Sequence, residues 1–257
     1  MKVDAILPAG GRISGRFARE AGAEIKALIA FGGQTVLEGT VAGLRGSGQV
    51  GRIVVIGPEE VGAHPGAGGA DAVLPEGGRS GPANIFRGLE WLYEANGGRH
   101  AARVLIAATD LPFLTAEAIK GFLDACPCES DICLPVVRRE EFEGRFPNHT
   151  IPYVRLRDGQ WMIGCAFLVN PVAIIRSRAL IEGVFAARKN HLAMARLLGL
   201  SFIVRFLVRR LTVSQVERRG LEIIGCSGGA VRGCLPELVF DIDRPKDYRY
   251  AARHCCA

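Results

Sequence analysis

The sequence predicts an α/β fold: a mostly parallel, twisted sheet with flanking helices, a three-layer sandwich carrying an α+β insertion. Three observations point there. Short apolar runs alternate with helical stretches through the first half of the chain. Those runs are continuously apolar rather than alternating, as expected of parallel strands covered on both faces. The length of 257 residues and the 49% hydrophobic content suit one large domain with a full core. In order, residues 2–7 read as a strand, followed by a glycine-rich loop and a helix around Thr35–Leu44. Strands follow at Arg52–Ile56 and Asp71–Leu74. Pro82 then suits the first turn of a helix in which Ile85, Leu89 and Leu92 share one face. A strand over Arg103–Ala108 ends at Thr109-Asp110, a helix runs from about Thr115 to Ala125, and a strand covers Asp131–Val137.

The second half reads differently. Tyr153–Leu156 and Met162–Val169 flank Asp158-Gly159 and predict a hairpin. Helices are expected over roughly 172–187, 190–198 and 203–219. A strand is expected at Leu238–Asp243, and a last helix opens at Arg244-Pro245. Arg205, Arg209 and Arg210 stand among the apolar residues of Phe202–Leu211, which reads as a core-packing helix with snorkelling arginines rather than a membrane-surface helix. No repeat or long linker divides the chain. Residues 138–235 therefore read as an elaboration on a core formed by 1–137 and 236–257.

Composition narrows the function classes. No apolar run approaches the 18 or so residues of a membrane span, and Asp4 interrupts any N-terminal leader pattern, so a cytoplasmic protein with no membrane partner is expected. The net charge of +6 is uneven: residues 1–137 hold 12 basic against 15 acidic groups, residues 138–257 hold 20 against 11. That basic half suits an anionic small molecule. It lacks the interleaved aromatics of a nucleic-acid surface, so no nucleic acid is expected. The eight cysteines lack paired C-x-x-C spacing and read as free thiols.

Four segments carry chemistry. Residues 7–16, LPAGGRISGR, follow the first strand, where glycine backbone amides can cradle phosphate oxygens or simply make a turn. Gly10 and Gly15 have Walker A spacing, but Arg16-Phe17 stands where Lys-Ser/Thr is required. Lys26, one of only five lysines, follows the loop and is placed to neutralise phosphate charge. Asp110, at the end of a central strand, is a hard-oxygen ligand in the usual ligand crevice, or the start of the turn before Pro112. Asp241 and Asp243, two apart in the expected strand, share a face and offer a second carboxylate ligand.

Taken in order, these segments resemble nucleotidyltransferases related to the molybdenum-cofactor guanylyl- and cytidylyltransferases, the MobA-like NTP transferase family. The glycine loop with Lys26 and Gly32-Gly33 matches the family's opening signature. Thr109–Thr115 is similar to its D-x-P-F-L-T segment, and Asp241–Tyr248 to its closing (D/N)-I-(D/N)-x-P-x-D segment. The resemblance implies a glycosyltransferase-A-like fold, as in nucleotide-diphospho-sugar transferases. It also implies Mg²⁺-dependent transfer of a nucleoside monophosphate from an NTP, CTP or GTP first, to a phosphorylated small-molecule acceptor. By resemblance, Leu7, Ala9, Gly10, Gly11, Gly81 and Asn84 contact nucleotide, Lys26 and Arg16 are catalytic, and Asp110 with Asp241 or Asp243 holds Mg²⁺. The acceptor stays open among pterin, sugar phosphate and polyol phosphate, as does homodimerisation. Pro8 interrupts the family's Leu-Ala-Gly-Gly run, and Ile163-Gly164-Cys165 stands where some relatives carry Gly-Gly-Asn near the acceptor. A non-catalytic, nucleotide-binding regulatory protein on the same fold is the alternative reading.

Overall fold

The computed structural model describes residues 2–78, 80–188 and 190–255. Its strands are β1 Val3–Pro8, β2 Ala30–Phe31, β3 Gln34–Thr35, β4 Val50–Gly57, β5 Ala72–Pro75, β6 Val104–Ala107, β7 Ile132–Arg138, β8 Val154–Leu156, β9 Gly159–Ile163, β10 Ala166–Val169 and β11 Gly228–Val231. Its helices are α1 Gly15–Ala21, α2 Val36–Gly46, α3 Glu59–Gly62, α4 Gly81–Ala95, α5 Ala116–Ala125, α6 Arg139–Arg145, α7 Pro171–Arg176, α8 Arg178–Ala187, α9 His191–Leu198, α10 Leu200–Leu207, α11 Val213–Ile224 and α12 Pro245–His254. Among the described residues, nine strands form one sheet in the order β5-β4-β1-β6-β10-β7-β9-β8, with β11 against β7. The β5-β4-β1-β6 half is parallel, and β10 runs antiparallel to both β6 and β7.

The apolar strands are buried on both faces, as their composition requires. Ala5 and Leu7 of β1 join Leu105 and Ala107 of β6 in one cluster with Leu37, Leu44 and Phe122 from α2 and α5. Ile6, Val104 and Ile106 turn to the opposite face, against Phe86, Leu89 and Leu92 of α4. Helix starts follow side-chain chemistry. Thr35 and Glu38 form a capping box at α2, Ser80 caps α4 with Pro82 in its first turn, and Thr115 caps α5. Gly32 and Gly33, at φ of 59° and 84°, make the tight β2–β3 hairpin that L side chains rarely permit.

β1 is followed by neighbours on one side, β4 and β5, and then by β6 on the other. The chain thus reverses its winding direction between β1 and β6. Open α/β sheets form their ligand crevice at such a switch, beyond the carboxyl ends of the strands. Gly10-Gly11 and Asp110 lie at those two ends.

Four expectations need correcting. Leu238–Asp243 is not a strand: a 3₁₀ turn, Pro236–Leu238, leads into an extended segment crossing the strand ends. Its amides and carbonyls pair with loops instead, Cys165 N donating to Leu238 O at 2.9 Å and Ile242 N to Asp110 O at 3.0 Å. The alternation of Phe240 and Ile242 with Asp241 and Asp243 records burial of one side, not a ladder. Met162–Val169 is likewise two strands broken at Gly164-Cys165: β9 completes the hairpin with β8, and β10 inserts between β6 and β7. The helix expected over 203–219 breaks at 208–212, where Arg209 takes φ +55°, and so becomes α10 and α11. The core-packing expectation for Phe202–Leu211 also fails. α10 buries no residue, and Leu200 and Leu207 are 79% and 71% exposed. β11, rich in glycine, has no apolar run that would have announced it.

Candidate active site

The loop after β1 is held open by its partners. Ala9 N donates to Ile56 O of β4 at 2.7 Å, and Thr109 Oγ1 donates to Pro8 O at 3.0 Å, which ties the ends of β1 and β6 together. Beyond it, residues 11–13 pair antiparallel with 24–26 through Lys26 N to Gly11 O at 2.9 Å and Ile13 N to Glu24 O at 2.8 Å. This pairing brings Lys26 back over the glycines, and its Cδ would lie 3.4 Å from a Cβ on Gly11.

Lys26 therefore reaches the crevice from above, at the start of a 3₁₀ turn over Lys26–Leu28. Its Nζ donates to Asp110 Oδ2 at 2.9 Å and to Asp243 Oδ1. Burial alone would depress the ammonium's pKa, but the carboxylates of Asp110 and Asp243 outweigh it and raise the pKa above that of an ordinary lysine. Lys26 is thus a fixed cation. Asp110, Asp241 and Asp243 each offer a carboxylate oxygen within 4.8 Å of the other two. When all three are ionised, Lys26 leaves two negative charges uncompensated. Burial first, then Asp243 and Asp110, push the Asp241 carboxyl up to about 7. Three convergent hard-oxygen donors with a surplus of two charges fit a divalent cation such as Mg²⁺.

A second layer of residues places this trio. Phe240 is wholly buried, with ring centroids 4.8 Å from Phe113, 4.9 Å from Phe146 and 4.9 Å from His149. That anchorage fixes the extended segment, so Asp241 and Asp243 converge without a strand. Asp247 accepts from Arg244 N at 2.7 Å and starts α12 directly behind them. Cys165 lies under the trio. Its N–H and C=O bridge Leu238 O and Ala108 N, at 2.9 Å each, and burial pushes its thiol far up, keeping it neutral. Gly164 is sterically required: a Cβ there would lie 2.5 Å from Pro135 Cγ and 2.9 Å from Leu238 O.

Beside Asp241 and Asp243 opens a cavity of about 280 Å³, walled by Tyr153, Trp161, Ile163 and Cys165 among others. Two arginines grip the Tyr153 hydroxyl, Arg155 Nη2 at 2.7 Å and Arg139 Nη1 at 2.9 Å, and lower its pKa. Tyr153, Phe113 and Phe240 stood out only as parts of a hairpin, a motif and an expected strand, and nothing in the sequence pattern marked Arg139, Arg155 or the aromatic cluster as a unit, because only tertiary contact relates them.

Of the residues singled out from sequence, Lys26, Asp110, Asp241 and Asp243 meet at one point, with Gly11 against the lysine stem. Gly10 borders Asn84, whose Nδ2 would lie 3.5 Å from a Cβ at Gly10, and Asn84 Oδ1 accepts from Gly77 N at 2.9 Å. Asn84 thus lies between the two glycine loops and is bonded to the second. The Leu7 side chain lies in the core, wholly buried. Gly81 faces the Phe185 ring, 3.5 Å from its would-be Cβ. Arg16 is exposed on α1, and among the described residues no hydrogen bond or ion pair links it to the acidic trio.

A family model described as MobA-like NTP transferase domain matches residues 5–207, most of the chain and all the crevice except its closing segment. The chain belongs to the MobA-like NTP transferase domain family. A hypothetical transferase from Thermus thermophilus is similar throughout, at 31% identity and a TM-score of 0.83, covering 96% of this chain and 99% of that one. The fold is shared at lower identity by a nucleotidyl transferase from Methanothermobacter thermautotrophicus (16%, TM-score 0.59, covering 99% and 97%). It is shared too by the 2-C-methyl-D-erythritol 4-phosphate cytidylyltransferase of Thermus thermophilus (20%, TM-score 0.57, covering 99% of each chain). No curated protein matches the sequence. Among the described residues, no helix is long and apolar enough to cross a membrane.

Proposed function

We propose that this MobA-like NTP transferase domain is a divalent-cation-dependent nucleotidyltransferase that moves a nucleoside monophosphate from an NTP to a phosphorylated small-molecule acceptor. The observation that carries the reading is the convergence of Lys26 with Asp110, Asp241 and Asp243 at the switch between β1 and β6. Residues 1–137 and 236–257 form the nucleotide-binding core in this reading, and 138–235 bring the acceptor. Among the described residues the Gly10 and Gly11 amides are not taken up by backbone partners, which suits them to phosphate oxygens. Asn84 braces the neighbouring glycine loop, and Gly81 opens α4 next to it. Leu7 acts through the backbone it sets. Arg16, on the exposed rim, would meet the outer phosphates.

In the reaction, an oxygen of the acceptor phosphate forms a bond to the α-phosphorus. The bond from that phosphorus to the bridging oxygen breaks, and pyrophosphate leaves with the electron pair. No proton transfer is needed, because the acceptor phosphate is already anionic; positioning and charge neutralisation do the work. Lys26, held cationic by Asp110 and Asp243, offsets charge that accumulates on the phosphoryl oxygens. A Mg²⁺ ion bound by the three aspartates would neutralise the same oxygens as a Lewis acid. The Tyr153 ring walls the cavity beside the aspartates, and its hydroxyl, held by Arg139 and Arg155, is a polar contact for the acceptor in this reading.

The test is pyrophosphate release with each of the four NTPs, CTP and GTP first, with Mg²⁺, across sugar phosphates, polyol phosphates, alkyl phosphates and molybdopterin. Turnover that needs one NTP and one acceptor is expected. Thermal stabilisation by an NTP without turnover by any acceptor would instead establish a regulatory nucleotide-binding protein. The absence of both turnover and NTP stabilisation would overturn both readings.

A further inference from the structure

We propose that the acceptor is amphiphilic, carrying an apolar chain that lies in a second cavity continuous with the acidic site. The inference rests on the nucleotidyltransferase reading and names the class of its second substrate. The cavity, of about 330 Å³, lies between the β7–β9 part of the sheet and helices α8, α9 and α11. Its size is that of a small-ligand site. Its walls are Ile, Leu, Val, Met, Trp, Ala and Gly, and Glu217 is the one ionisable side chain among them. A sugar or pterin placed there would leave its polar groups without partners, whereas a hydrocarbon loses nothing. Protein interiors close up at high density, so an apolar cavity of this size facing solvent is a place for an occupant rather than a packing defect.

Continuity with the acidic site identifies that occupant. Val154, Trp161 and Ile163 wall both this cavity and the smaller one that holds Asp241 and Asp243. Ile163, at the junction, is 56% exposed, an apolar side chain standing where a chain would cross. The polar end of the path is equally marked. Asp241, Asp243 and Tyr153, whose hydroxyl accepts from Arg139 and Arg155, wall the small cavity, while the large cavity offers hydrocarbon apart from Glu217. A phosphate at one end and an alkyl or isoprenoid chain at the other matches the sequence of surfaces along this path.

Trp161 reports on the cavity directly. The chain has two tryptophans, so Trp91→Phe leaves Trp161 as the only one, excited selectively on the red edge away from the four tyrosines. Full-length W91F protein is titrated with butyl, hexyl, octyl and decyl monophosphate below their micelle concentrations. The expected result is a saturable emission shift whose affinity climbs with chain length, by up to about fourfold per methylene taken from water. Gly220→Leu, on the cavity face of α11 where a Cβ would meet nothing within 4 Å, fills the space with a better helix former. It is expected to keep or raise Tm and to weaken decyl phosphate at least tenfold. Ile163→Asn, at an exposed position, provides the same loss by a second route. Affinity independent of chain length, or decyl phosphate binding unchanged in both variants, overturns the proposal. If short phosphates turn over with the same kcat/KM as their alkylated counterparts, the transferase reading stands and the chain site falls. If decyl phosphate binds but no NTP stabilises the protein, the transferase reading has failed and the acceptor role with it.

Discussion

The β1–β6 crevice and the α8–α11 flank are both rich in apolar residues, yet they spend them differently. In the crevice, Ala5, Ile6, Leu7, Leu105 and Ala107 are wholly buried, and the polar groups at the strand ends are fixed by hydrogen bonds between loops. In the flank, α10 buries nothing, Leu192, Leu200 and Leu207 are 71% exposed or more, and an apolar cavity opens between α11 and part of the sheet. A central parallel strand consumes its hydrophobicity on two faces at once. A helix layered on a sheet edge consumes only the face it is offered. The first region can hold charges rigidly, whereas the second is left with apolar surface available to a ligand.

Ways to break this contrast can be ranked. The largest effect is expected on turnover. Asp110→Asn or Lys26→Ala should slow pyrophosphate release by about 100- to 1,000-fold, the range for removing a preorganised charge-stabilising group, with a near-unchanged far-UV spectrum in the asparagine variant; full activity of Asp110→Asn would remove the trio from the reaction. Leu105→Ala, at a wholly buried site, should cost about 2–5 kcal/mol of unfolding free energy in a urea titration. Gly164→Ala must push against Pro135 and the Leu238 carbonyl, and a loss of about 1–3 kcal/mol is expected, together with weaker cation binding because Asp241 hangs from the same segment.

The pH dependence comes next. The Asp241 carboxyl titrates near 7 in the folded protein against an ordinary 3.8, so the native state holds its proton more tightly than the unfolded chain does. That contribution to stability is complete below the ordinary value and is lost as pH rises through about 7. Without added cation, Tm should therefore fall across this window, and Asp241→Asn should flatten the fall. Stabilisation by Mg²⁺ should grow over the same window, since the cation competes with the proton; a Mg²⁺ increment independent of pH would exclude Asp241 as a ligand. The smallest effect sharpens the comparison: Leu207→Ser on α10, 71% exposed, should change stability by no more than about 0.5 kcal/mol. A loss as large as that of Leu105→Ala would show that the flank is packed after all.

Particular residues show how far the sequence could be read. Strands such as Val104–Ala107 are legible because burial on both faces leaves an unbroken apolar run, and helix starts at Thr35, Ser80 and Thr115 because capping is local chemistry. Lys26, Asp110, Asp241 and Asp243 stood out through residue type and order along the chain. Phe240 and Ile242 misled, since alternation reports a buried side and cannot distinguish a sheet partner from the aromatic cluster that actually receives Phe240. Arg205, Arg209 and Arg210 misled in the opposite direction: only Arg205 lies on α10, Arg209 and Arg210 fall in the break after it, and the helix's neighbour α9 leaves all of its residues short of full burial.

The sequence by itself therefore determined the α/β class, the glycine loop after the first strand and the identity of the four charged groups, because each depends on contacts within a few residues or on the gross demand for burial. Tertiary structure alone decided that Lys26, more than 80 residues from Asp110 and more than 200 from Asp243, would donate to both. It also decided that Gly164 has room for no side chain, and that the basic half would enclose an apolar cavity beside the acidic site. Those outcomes depend on how separate elements meet, and long-range packing leaves no period or local motif in the chain to announce it.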